Sequence, residues 1–360
     1  IYALTAVRDF RERGIDMTHK TGGGKQLKAP FPYFGGKSTV ADIVWQALGW
    51  PKHYIEPFFG SGAVLLSRPD YVQSKHIETV CDKDGFLANV WRSLQYAPDE
   101  VAKWCDWPVN HADLSARKRE LLKNEERLLE NLISNPEWYD TKLAGYWIWA
   151  ASCWIGSGLT HPNARPHISN GGNGIYAIGK RPHISDGGKG VHTLGKRPHI
   201  SDGGKGVQEP FNTNIYKWFR DLSERLRYVR VVCGDWTRVC GGNWQDKKGV
   251  CGMFLDPPYG VTDRNATLYH HDSTTMAADV MAWVRERGQL KTYRIVLAGY
   301  QEYEDLLSEG WTSHKWKAIG GYGNMSNKNG KNENRHRETL YFSPHCEVGQ
   351  ISESVPCRLL

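Results

Sequence analysis

"HYIEPFFGSGAVLL", residues 53–66, sets three signals in a row: an apolar run that stops on Glu56, a Pro-Phe-Phe stretch leading to glycines at 60 and 62, and a second apolar run. The pattern predicts a short buried strand, a tight turn and the start of a helix. Glycine belongs in such a turn because the backbone must bend sharply there and come close to a ligand. A glycine pair alone is weak evidence, and its neighbours decide the fold.

Those neighbours repeat the design. "HIETVCDKD" (76–84) is a strand ending on acids, followed by a helical run through Trp91; "YVRVVCGDW" (228–236), "VCGMFLDPPY" (250–259) and "YRIVLAGY" (293–300) are apolar strands with polar or aromatic tips, and "RETLYFSP" (337–344) is one more. Strands alternating with helices predict an α/β fold with a mostly parallel, doubly wound sheet. Ligands of such sheets sit beyond the carboxyl ends of the strands, where these tips gather.

The rhythm breaks between about 98 and 227. "ADLSARKRELLKNEERLLENLI" (112–133) carries leucines at 114, 121, 122, 128, 129 and 132, the apolar stripe of a helix packed on a neighbour, and the aromatics of "AGYWIWAASCWIGSG" (144–158) read as core. Three repeats with a period of 16 follow: "RPHISNGGNGIYAIGK" (165–180), "RPHISDGGKGVHTLGK" (181–196) and "RPHISDGGKGVQEP" (197–210). Their Asn/Asp-Gly-Gly turns suit hairpins or a long glycine-rich loop. Two readings stand side by side. The repeats are either a cationic arm, with Arg165, Arg181, Lys189, Arg197 and Lys205 on a phosphate backbone, or a tandem duplication that lengthens a surface loop.

The 360 residues carry a net charge of +7, a modest basic excess that permits a polyanionic partner without requiring one. The eight cysteines include no CxxC pair, which predicts reduced thiols and neither a disulfide frame nor a metal site. No apolar stretch approaches the ~18 residues of a membrane span. We therefore expect a soluble, cytoplasmic protein with no membrane partner and no metal. The opening segment, with "THKTGGGKQLK" after Met17, predicts an extension over 1–28 outside the fold.

The stretch 256–259 carries the chemistry. Asp256 is a pure acceptor at a strand end, Pro257 offers a carbonyl and no N–H, and Pro258 fixes the next φ. Two acceptors held side by side suit a planar amino group, and Tyr259 adds a flat face for a heterocyclic base, worth about 1–3 kcal/mol. An ordinary proline turn is the alternative reading of these four residues alone. Upstream, "PYFGGKSTVADIV" (32–44) sets Gly35, Gly36 and Lys37 before a helix, and Asp82 ends its strand where a ribose hydroxyl pair is commonly held. No GxxxxGK[ST] run accompanies them, so the implied cofactor is a nucleoside.

FGGK, EPFFGSG, Asp82, GDW (234–236) and DPPY, in that order and with a long insertion before DPPY, resemble the Dam-type (alpha-group) DNA adenine-N6 methyltransferases, particularly phage-encoded ones. The likeness runs from about Ala29 to His345 and includes "CWIGSG" and "NRHRETLYFSPH". It implies a Rossmann-like S-adenosyl-L-methionine domain (29–97 and 228–345), an inserted target-recognition lobe (98–227) and a tail (346–360), with double-stranded DNA as partner. It further implies that Tyr33, Gly36, Lys37, Glu56, Phe58, Gly60, Gly62 and Asp256 lie against the cofactor. By the same likeness Asp82 takes the ribose, Asp235 and Trp236 border the adenine, and Asp256, Pro257, Pro258 and Tyr259 hold the target base. Tyr33 stands where many relatives have tryptophan, and the repeats are no hallmark of the family.

The same logic serves other planar amines. Cytosine-N4 methyltransferases more often carry serine in place of the aspartate, and protein-glutamine methyltransferases asparagine. A DNA-binding protein on a catalytically decayed methyltransferase scaffold is the non-enzymatic alternative.

Overall fold

The computed structural model describes residues 27–31, 33, 37–69, 71–73, 75–107, 110–154, 159–160, 162, 215–258, 274–316 and 338–350. Seven strands form one sheet: β1 (His53–Glu56), β2 (Ile77–Asp82), β3 (Arg230–Cys233), β4 (Cys251–Leu255), β5 (Tyr293–Gly299), β6 (Thr312–Lys315) and β7 (Thr339–Phe342). Their order is β3-β2-β1-β4-β5-β7-β6. The first five are parallel neighbours, and β7 runs antiparallel to both β5 and β6.

The central strands read as unbroken apolar runs because both faces of the sheet are covered. Side chains alternate between two cores with the period of a strand. Tyr54, Val80, Phe254, Val296 and Leu340 point into one, while Ile55, Cys81, Met253, Leu255, Ile295 and Tyr341 point into the other. The helices Ala41–Leu48, Ala63–Leu66 and Gly85–Tyr96 contribute to the first core, and Thr237–Cys240 and Thr274–Gly288 to the second. The sequence reading missed β6, and the reason is visible. "TSHK" is a polar edge strand, mostly exposed, with no apolar face to announce it.

Four further helices join the first core: Pro98–Cys105, His111–Ser134, Thr141–Cys153 and Ile215–Leu226. Of the expected leucine stripe, Leu114, Leu121, Leu128 and Leu132 are buried and Leu129 stays exposed. Trp147, Ile148 and Trp149 fill core. Side-chain caps start three of the helices: Asp84 Oδ1 accepts from Phe86 N at 2.8 Å, Asn110 Oδ1 from Asp113 N at 3.0 Å, and Asp140 Oδ1 from Leu143 N at 2.9 Å. Each cap contributes about 1 kcal/mol.

The helix Ile215–Leu226, which closes the 98–227 segment, is tied to the sheet by charge. Arg225 Nη1 donates to Glu78 Oε2 at 2.7 Å, its Nη2 donates to Leu65 O at 2.9 Å, and Arg68 Nη1 reaches Glu78 Oε1 at 3.2 Å. All three side chains are buried, and the Arg225 guanidinium lies 3.7 Å from the Tyr71 ring centroid. Leu27 and Val348 pack against the same core, and Glu347 N donates to Ala47 O at 2.8 Å. Leu27, Glu347 and Val348 are thus tied to the core.

Candidate functional site

Loops from four strands meet at the carboxyl ends of the parallel strands, with Tyr33 and Lys37 beside them. The turn after β1 is joined to β2: Phe59 N donates to Cys81 O at 3.0 Å, and Gly60 N to Asp82 Oδ2 at 2.8 Å. The turn after β3 is joined to the same place, with Gly234 N donating to Asp82 O at 2.9 Å and Cys81 Sγ to Gly234 O at 3.3 Å.

Gly60 and Gly62 have φ of +48° and +63°, the left-handed region that favours glycine. A Cβ added to Gly60 would stand 2.6 Å from Tyr33 Cε1, so glycine is what lets the Tyr33 ring lie on this turn. Trp91, read from the sequence only as part of a helix, supports the turn by donating Nε1–H to Gly60 O at 3.0 Å.

Asp82 receives backbone N–H groups at both oxygens, from Gly60 at Oδ2 and from Asp84 at Oδ1 (2.9 Å). Burial nevertheless pushes its carboxyl up to about 7, the charge of Asp84 adding to the effect and backbone bonds from Asp84, Gly60 and Lys83 opposing it. Burial also raises Glu56 well above the usual carboxylate range; Tyr54 OH, donating to Glu56 Oε2 at 2.9 Å, counteracts this and the charge of Asp256 reinforces it.

Phe58 and Trp236 present nearly parallel rings, with centroids 6.3 Å apart and planes 29° apart. Trp283 braces Trp236 edge-on at 6.1 Å. Asp235 turns its Oδ1 to Thr237, accepting from N at 3.0 Å and from Oγ1 at 2.6 Å.

At the end of β4 stands Asp256, followed by the buried Pro257 and half-buried Pro258. Lys37 Nζ donates to Asp256 Oδ2 at 2.8 Å and lies 3.9 Å from Glu338 Oε2. The side chains are 4 % (Lys37), 20 % (Asp256) and 14 % (Glu338) exposed, so water screens these charges poorly. Lys37, expected against the cofactor, thus reaches the aspartate of the DPPY stretch. Glu338 escaped the sequence reading. It precedes β7, and only the antiparallel course of that strand brings its first residues to this end of the sheet.

Gly36, Tyr259, Arg165, Arg181, Lys189, Arg197 and Lys205 lie outside the described residues. The described helices of the inserted segment carry no basic excess: residues 98–153 hold ten acidic and seven basic side chains, whereas 155–214 hold three and seven. Two of the basic groups are also turned inward. Arg117 lies 4.3 Å from the Trp149 ring centroid and 4.4 Å from that of Tyr146, and Lys118 lies 4.7 Å from that of Trp154.

The strand order, with one antiparallel strand between β5 and β6, is that typical of class I S-adenosylmethionine-dependent methyltransferases. The fold is a methyltransferase core with flanking helices. No family model matches the chain, and no curated protein matches it. Among the described residues no helix is long and apolar enough to cross a membrane, and no group of three or more His, Cys, Asp or Glu side chains could hold a metal ion.

The fold is consistent with S-adenosylmethionine binding in general. At the strand ends the Asp82 carboxylate stands beside the turn at Gly60, and the half-buried Phe58 ring lies against Trp236.

Proposed function

We propose that this chain transfers a methyl group from S-adenosyl-L-methionine to the N6 amino group of adenine in DNA. The observation that carries the reading is Asp256 standing next to Pro257 at the end of β4, with Lys37 of the glycine-rich segment on its carboxylate. The motif order of the sequence and the strand order of the sheet support it from separate directions.

In this reading Asp82 binds the ribose hydroxyls, and Phe58, Trp236 and the turn at Gly60 hold the rest of the nucleoside. When bound, the cofactor supplies a sulfonium methyl group that the amine's lone pair takes, the S–CH3 bonding pair remaining on sulfur and the surplus amine proton leaving to a carboxylate or water. The Asp256 carboxylate and the Pro257 carbonyl accept the two amino hydrogens and draw the lone pair out of conjugation with the ring. Alignment and electrostatics then supply most of the acceleration. In duplex DNA the adenine must first leave the stack, at a cost of a few kcal/mol, and Tyr259 is the aromatic group assigned to receive it. The inserted segment grips DNA through the repeats, where the basic excess lies, and not through the acidic helices 98–153.

Incubating purified protein with radiolabelled S-adenosyl-L-methionine and duplex DNA, then digesting to nucleosides, tests the reading. Label in N6-methyl-2′-deoxyadenosine is the expected result. Label in N4-methyl-2′-deoxycytidine would assign the chain to the other amino-methyltransferase class. Tight DNA binding with no label anywhere would identify a decayed scaffold.

A further inference from the structure

Strand β7 pairs antiparallel with β5, and Thr339, its first residue, pairs with Gly299, the last of β5. The residue before it therefore emerges at the same end of the sheet as Asp256. That residue is Glu338, and its carboxylate faces the ammonium that already serves Asp256.

An ammonium group has three donors. One is committed to Asp256 Oδ2 at 2.8 Å; Glu338 Oε2, at 3.9 Å, is beyond a hydrogen bond and within ion-pair range. In a site this poorly screened the Glu338 carboxylate acts on the Lys37 ammonium and, through it, on Asp256.

We propose that Glu338 is a positioning residue. It holds Lys37 between two carboxylates and fixes the orientation of Asp256 through the lysine. The proposal rests on the reading that Asp256 accepts the target amine.

The test compares Glu338→Gln, which removes the charge and keeps the shape, with Glu338→Asp, which keeps the charge. Glu338→Gln should slow single-turnover methyl transfer by about tenfold and Glu338→Asp by less than about threefold, both leaving S-adenosylhomocysteine affinity within about twofold. A second readout needs no catalysis. In protein carrying nitrogen-15-labelled lysine, the Lys37 ammonium resonance, assigned by its loss in Lys37→Arg, should be protected from solvent exchange in the wild type and in Glu338→Asp and lose that protection in Glu338→Gln.

An unchanged Lys37 resonance in Glu338→Gln overturns the proposal whatever the rates. Equal losses of rate, cofactor affinity and thermal stability in both variants overturn it too, because they mark a purely structural role. If the wild type methylates no DNA while the resonance responds as stated, the methyl-transfer reading fails and the coupling of Glu338 to Lys37 stands.

Discussion

Lys37 Nζ lies 2.8 Å from Asp256 Oδ2, a contact between residues 219 positions apart. It joins Lys37, just before the helix Ala41–Leu48, to the residue that follows β4, so that the FGGK and DPPY stretches meet in one ion pair. If Asp256 orients the target amine, Asp256→Asn should lower single-turnover methyl transfer by at least about a hundredfold. S-adenosylhomocysteine affinity should stay close to that of wild type. A rate within tenfold of wild type rejects the role of Asp256.

The raised carboxyl of Asp82 makes two opposite pH dependences. The folded state holds this proton up to about 7, whereas an ordinary aspartate releases it near 3.8, so the stability contributed by Asp82 is greatest in acid and is lost as pH rises from about 4 through 7. If Asp82 accepts the ribose hydroxyls, it does so in its ionised form, so cofactor affinity should rise with pH over the upper part of that window. Calorimetric titration with S-adenosylhomocysteine between about pH 5.5 and 8.5 should show affinity falling as pH drops below about 7. Asp82→Asn should bind more weakly and without this slope; an unaltered slope in the variant would assign the titration to another group.

Gly60→Ala meets two obstacles, a left-handed φ and the ring of Tyr33. The φ alone costs about 1–2 kcal/mol in stability, and displacement of the ring should weaken cofactor binding as well. Combining Gly60→Ala with Tyr33→Ala removes the collision and keeps the φ. A double-mutant cycle by urea denaturation should therefore show coupling between the two sites, and strict additivity would contradict the contact.

Arg225→Met breaks the buried Arg68–Glu78–Arg225 cluster and leaves Glu78 with one cation. Losing a partner from a buried ion pair costs about 3–5 kcal/mol. Urea denaturation should show a loss of that order with the methyl-transfer site otherwise intact. A change below 1 kcal/mol would mean that the cluster contributes little to stability.

Deletion of one repeat, residues 181–196, removes Arg181, Lys189 and Lys196. If these contact phosphates, the slope of log affinity against log salt should flatten by up to about 2 to 3 units, since each neutralised phosphate contributes about −0.9. Affinity should fall alike for all DNA sequences. No change in slope would favour the duplicated-loop reading, and a loss confined to one sequence would point to base readout.

The strand tips were legible before any coordinates. Glu56, Asp82, Asp235 and Asp256 each end or follow an apolar run, and a two-faced parallel sheet leaves that imprint because its strands must be apolar on both sides. The glycine turn was legible for a related reason. Residues at φ near +50° are chosen for backbone conformation, and glycine is conspicuous in sequence. The leucine stripe of 111–134 showed because a helix hides one face, though which leucine stays exposed depends on the partner that covers it.

The alternation of strands and helices and the identity of the polar groups at their ends follow from local periodicity and residue chemistry, and are readable in the residues alone. Which of these groups meet is set by the way the strands are ordered and directed. Strand direction cannot be read from composition, so Glu338 becomes a site residue only once β7 is seen to run against β5. Lys37 finds Asp256, Trp91 finds Gly60 and Arg225 finds Glu78 for the same reason: these contacts join chain segments far apart in sequence, and only the order and direction of the strands bring them within reach.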